Sequence, residues 1–126
     1  MITPDQFKDI LAKHPRVAIV GGPQVGKTTL AQTVTDRPVH HNDTGKHIAW
    51  EDQPEYWKNR VFGQDAFVLE GVQAARALRK GLKVDAVVEL TDPYKELSPG
   101  QKSMHKGHAK IFGDVVRDNP DLPVYR

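Results

Sequence analysis

Cysteine is absent from the chain's 126 residues, which excludes a disulfide framework and a thiolate metal site. Long apolar runs are missing too. None approaches the roughly 18 residues of a membrane-spanning helix, so no membrane partner is expected. The first residues, Met1-Ile2-Thr3-Pro4-Asp5, carry neither the basic nor the apolar segment of a secretory signal. The expectation is a cytoplasmic protein. Charge of one sign is scarce: a formal net charge of +2 does not by itself imply a nucleic-acid partner. Internal repeats and low-complexity tracts are also lacking. What remains is 38% hydrophobic and 27% charged, as in ordinary globular domains, on a chain long enough for one compact domain over residues 1–126.

The informative stretch is Gly21-Gly22-Pro23-Gln24-Val25-Gly26-Lys27-Thr28-Thr29. It follows the apolar run Val17-Ala18-Ile19-Val20 and precedes Leu30-Ala31-Gln32-Thr33-Val34, which reads as a helix. Gly21, Gly26, Lys27 and Thr28 fit the spacing G-x-x-x-x-G-K-[ST] in the strand–loop–helix context this motif requires. A phosphate chain needs inward-pointing backbone N–H groups, and a side chain at the turn would block its approach. Glycine removes that block and allows positive φ. The following helix presents free N–H groups to the anion. Lys27 then reaches the β- and γ-phosphates, Thr28 is a magnesium ligand, and Thr29 reads as a helix residue at the edge of the nucleotide site. These residues resemble the P-loop NTPase superfamily.

Around the loop, the pattern alternates strand and helix. Thr3-Pro4-Asp5-Gln6 has capping-box spacing and predicts an N-terminal helix within residues 1–15, ending before Pro15. Strands are expected over Arg16 to Val20, from Val39 to about Asp43, over Ala66-Phe67-Val68-Leu69 into Glu70-Gly71, and over Val84 to Leu90. The helix after the loop should run to about Asp36, a further capping box at Asp52-Gln53-Pro54-Glu55 should open a helix, and another helix should span residues 72–80, stopped by Gly81. Ser98-Pro99-Gly100-Gln101 opens a basic helix over residues 98–117, weakened by Gly107 and Gly113. The tail after it is turn-rich. The alternation predicts a three-layer α/β sandwich with a mostly parallel sheet of about four or five strands and the ligand at their carboxyl ends.

Three predicted strand ends share that edge: the loop at Gly21, Asp43 and Glu70. Asp43 is either the base that takes a proton from an acceptor hydroxyl or a turn-forming aspartate. Glu70 closes an apolar strand, where a carboxylate needs a partner: magnesium, a bound acceptor, or a neighbour such as Arg76 or Lys27. Arg76 and Arg79, on the helix leaving Glu70, either fork onto a phosphate or form a solvated face. Lys102, Lys106 and Lys110 share one helix face, as a lid over the triphosphate, a site for a polyanionic acceptor, or a wet surface. Trp50, Tyr56 and Trp57 either stack on a nucleobase or pack in the core. His105 and His108 lack a third ligand and read as structural.

Within the superfamily, the chain resembles small nucleoside, nucleotide and polynucleotide kinases, including short phage-encoded ones. The resemblance covers residues 16–110 and rests on Gly21 to Thr28, on Asp43 after the second strand, on Phe67-Val68-Leu69-Glu70-Gly71, which is like the acidic strand end of uridine-kinase-type enzymes, and on the basic segment Lys102 to Lys110. It implies ATP and Mg²⁺ as cofactors, Thr28 and Glu70 at the metal, Lys27, Asp43 and Glu70 in catalysis, and transfer of the γ-phosphoryl group to a nucleoside, a nucleotide or a polynucleotide 5′-hydroxyl. A phage-encoded kinase would work in the host cytoplasm. The alternative is a P-loop ATPase or nucleotide-binding module that phosphorylates no acceptor. Family lids generally use arginines, whereas lysines stand here and cannot make the forked contact. The D-x-x-G and [NT]-K-x-D motifs of GTPase switches are absent.

Overall fold

The computed structural model describes residues 2–41 and 48–126. Asp43 lies outside the described residues. α1 (Pro4–Lys13) begins at the expected capping box: the Thr3 hydroxyl accepts from the Gln6 amide at 3.1 Å, and Gln6 Oε1 accepts from the Thr3 amide at 2.8 Å. Its apolar stripe, Phe7, Ile10 and Leu11, is buried. Arg37 ties down its C-terminal end: the guanidinium donates to the carbonyl of Leu11 in the last turn and to those of His14 and Pro15 just beyond.

β1 (Arg16–Val20) is buried from Val17 onward, as an interior parallel strand must be. Four further strands, β2 (Val39–His41), β3 (Phe67–Glu70), β4 (Ala86–Glu89) and β5 (Val124–Tyr125), complete one all-parallel sheet in the order β2-β3-β1-β4-β5. β5 sits in the turn-rich tail, where two residues carry no readable period.

Alternation along the strands splits the core into two layers. Val17 and Ile19 pack with Val68 and Val88 against α1 and α2 (Lys27–Ala31). Ala18 and Val20 pack with Leu69 and Val87 against α3 (Gln53–Val61), α4 (Ala74–Arg79) and α5 (Pro99–Asp118). Each valine, leucine or isoleucine so buried contributes about 1.5–3 kcal/mol. The result is an α/β sheet covered on both faces.

Three helices depart from the expectations. α2 stops at Ala31, because Thr33 and Val34 are β-branched and the Thr33 hydroxyl back-bonds to the Leu30 carbonyl at 2.7 Å. The Asp52 capping box does not form: a 3₁₀ turn over Trp50–Asp52 leads into α3, and Asp52 is already helical. α4 starts two residues later than expected, at Ala74. α5 runs its full length through Gly107 and Gly113, with the Ser98–Gln101 capping box intact.

The strand order positions the site. The connection leaving β1 crosses to β2 by way of α2 on one face. The connection leaving β3 crosses to β4 by way of α4 on the other face. Adjacent β1 and β3 therefore part at their carboxyl ends, the place where open α/β sheets bind ligands.

Candidate functional site

Residues 21–26 form the bend beyond β1, and its glycines are required by geometry. Gly21 has φ +152°, and a Cβ there would lie 2.4 Å from the Leu90 carbonyl oxygen. Gly26 has φ +91° and enters α2 in the left-handed region with no side-chain cap. Gln24, at φ +63°, is the one non-glycine with positive φ among the described residues. Among the described residues, the amides of Gln24 and Gly26 donate to no hydrogen bond. Two outside groups hold the bend: the Tyr94 amide donates to the Gln24 carbonyl at 2.9 Å, and His105 Nε2 donates to the Pro23 carbonyl at 2.8 Å.

Lys27 is buried, and its ammonium donates to the Gly22 carbonyl, so the cation lies folded against the bend. One residue on, the Thr28 hydroxyl sits 3.3 and 3.4 Å from the two Glu70 carboxylate oxygens. Glu70 is 1% exposed at the end of β3. Its second partner is His41, whose Nδ1 donates to Oε1 at 2.9 Å. His41 and Glu70 are register partners of β2 and β3, which sets the contact. Burial of a carboxylate is tolerated only with such partners, and these are Thr28 and His41 rather than Arg76.

Residues 23–29, Glu70 to Val72 and Tyr94 line a cleft of about 250 Å³. Thr28 and Glu70 offer it hard oxygen donors, the kind magnesium takes one or two at a time while water and phosphate fill its other positions. Among the described residues, no group of three or more His, Cys, Asp or Glu side chains could hold a metal unaided. The donor set fits magnesium carried with a phosphate. α2 is only five residues long, so the bend's amides and Lys27, rather than a helix dipole, are the groups here that would attract an anion.

No protein-family model matches the chain, and neither a curated protein nor a solved structure matches it. A functional reading therefore rests on the chain's own residues.

The remaining candidates scatter. The Arg76 guanidinium lies 5.3 Å above the Trp50 ring. Arg79 pairs with Asp114 at 3.5 Å. Lys102, Lys106 and Lys110 are all exposed, while the face of α5 turned to the bend carries His105 instead. Trp57 is core, with Tyr56 edge-on to it at 5.0 Å, and Trp50 stands half-exposed beside the bend. His108 donates to Glu89 at 3.1 Å and stacks on Phe112. The Glu89 carboxyl is held below its usual range by the hydrogen bond from His108, reinforced by Arg126, against the opposing cost of burial. Sequence reasoning missed His41, His105 and Tyr94. His41 faces Glu70 only through the pairing and register of β2 with β3, which no local pattern states. His105 lies 82 positions from Pro23, and nothing local marks it.

Proposed function

We propose that the chain is an ATP-dependent phosphotransferase of the P-loop type, moving the γ-phosphoryl group to a hydroxyl of a nucleoside, a nucleotide or a polynucleotide 5′ end. One observation carries this reading: Lys27, Thr28 and Glu70 converge on one cleft at the strand ends, beside a bend with unused amides. The ammonium of Lys27 would exchange the Gly22 carbonyl for β- and γ-phosphate oxygens, and the amides of the bend would bind the rest of the chain of phosphates. Thr28 and Glu70 would hold magnesium, which supplies neutralisation of phosphate charge. The acceptor oxygen forms its bond to the γ-phosphorus as the bond to the β–γ bridging oxygen breaks, and ADP leaves with that electron pair. Asp43, two residues beyond the end of β2, would take the hydroxyl proton.

The outward face of the α5 lysines favours a second reading, nucleotide binding or hydrolysis without an acceptor, because no arginine-bearing lid closes over the cleft among the described residues. Radiolabelled ATP separates the two. A kinase moves γ-label to a member of a nucleoside, nucleotide and oligonucleotide panel, Lys27→Ala lowers transfer at least ~100-fold, and Asp43→Asn loses transfer while keeping ATP binding. Label found only in inorganic phosphate, whatever acceptor is offered, overturns the kinase reading. Failure of Mg–ATP to bind overturns both.

A further inference from the structure

A second cavity, of about 260 Å³, opens on the other side of the bend. Its floor is Gly21 and Gly22, and Val72 forms a wall common to it and the phosphate cleft. Its sides are Ala75 and Arg76 of α4, Met104 and Ile111 of α5, and the Trp50 ring. We propose that this cavity takes the acceptor, and that the acceptor is a neutral nucleoside rather than a nucleotide or a nucleic-acid end. The inference rests on the kinase reading for the fate of the hydroxyl, and on the cavity alone for the ligand's chemistry.

Shape and exposure point to one flat ring system. Trp50 is 47% exposed and Met104 39%, and both stand at this cavity. Large apolar side chains left open to water cost free energy unless something covers them. The Arg76 guanidinium over the Trp50 ring already forms the first pair of a stack, and a heterocycle extends such a stack with dispersion and cation–π attraction. The volume lies just below the ~300–1,000 Å³ of pockets for drug-sized ligands. It holds one base with its sugar and has no room for a second nucleotide unit.

Charge decides between a nucleoside and its phosphate. A phosphate dianion is held by forked, charge-assisted hydrogen bonds, usually several. Among the described lining residues only Arg76 is a fixed cation. Arg79 is paired with Asp114, and the α5 lysines stand on the outer face. The other polar side chains of the lining are Ser103 and His108, and His108 Nε2 is already engaged by Glu89. The rest of the wall is apolar, and desolvating a phosphate against it is unfavourable. A neutral sugar hydroxyl meets no such cost.

Isothermal titration calorimetry tests this on the full chain with magnesium and the imido analogue of ATP in excess. The titrants are adenosine, guanosine, cytidine, uridine, thymidine, their 5′-monophosphates and a short oligonucleotide. At least one nucleoside should bind about tenfold tighter than its monophosphate. Trp50→Ala should weaken it about tenfold or more, with Trp50→Phe retaining most of the affinity. Met104→Glu, at the exposed mouth, should weaken it without unfolding the chain. Absence of nucleoside binding, a monophosphate or oligonucleotide bound as tightly, or a Trp50→Ala chain of unchanged affinity overturns the proposal. Nucleoside binding without label transfer supports the cavity's assignment and overturns the kinase reading. Transfer to a nucleotide or oligonucleotide, with no nucleoside bound, upholds the kinase reading and overturns this one.

Discussion

His105, on α5, donates from Nε2 to the carbonyl of Pro23 at 2.8 Å, and its ring lies so close that a Cβ on Gly22 would sit 2.7 Å from it. A helix remote in sequence therefore clamps the first half of the glycine bend from outside. The hydrogen bond fixes one peptide plane of the bend, and the ring requires glycine at 22. Loss of one such bond costs about 0.5–1.5 kcal/mol. His105→Ala should therefore weaken Mg–ATP binding about 2- to 12-fold, with His105→Asn recovering part of it. Gly22→Ala should weaken binding as well, by pushing the ring away. Nucleotide titrations on the three variants check this. Equal affinity in His105→Ala and the parent would show that the bend holds its shape without the clamp.

Glu70→Gln separates charge from packing. The amide can still meet the Thr28 hydroxyl and His41, so the midpoint of thermal unfolding should move by only a few degrees. The negative charge proposed for magnesium is gone. Transfer, or hydrolysis, should fall on the order of 100-fold, partly restored by raised magnesium. A variant as active as the parent at all magnesium concentrations removes Glu70 from the site.

Acid should unfold the chain partly through Glu89. Its folded carboxyl titrates below the ordinary glutamate range, chiefly through the hydrogen bond from His108, with Arg126 adding to it. A carboxylate lowered in this way contributes stability that is complete above its unfolded value and is lost as pH falls through the folded one. Melting curves from pH 7 to pH 3 should show the loss below the ordinary glutamate range, and Glu89→Gln should start less stable at neutral pH and lose less on acidification. Parallel curves for the two proteins would contradict it.

Gly113 lies inside α5, and a Cβ there would meet nothing within 4 Å. Alanine at this position removes conformational freedom from the unfolded chain and improves helix propensity by up to ~1 kcal/mol. Gly113→Ala should raise the melting temperature by about 2–4 °C and leave nucleotide binding unchanged. A lower melting temperature would contradict it.

Much of the fold was legible because its causes are local. Thr3 and Ser98 each sit three residues before a glutamine, and both capping boxes form. Arg16 to Val20 is apolar without a break from residue 17, and it is the buried central strand. Asp52 has the same spacing of residues but caps nothing, because a preceding 3₁₀ turn already supplies the start of α3. β5 escaped notice because a two-residue strand is defined by its partner, β4, and not by its own pattern. At the candidate site, Gly21, Gly26, Lys27 and Thr28 could be named from spacing, and Glu70 from its place at the end of an apolar run. Where the basic face of α5 would point could not.

By itself, the amino-acid order determined the alternation of strand and helix, the glycine bend after an apolar strand, and the acidic end of a later strand. Each depends on contacts within a few residues along the chain. Tertiary structure alone decided that Glu70 meets Thr28 and His41, that His105 rather than the lysines faces the bend, and that Trp50 and Arg76 border an open cavity. Those are meetings of side chains from different elements. They depend on which strands become neighbours and on the angle at which each helix packs, and no local pattern carries that information.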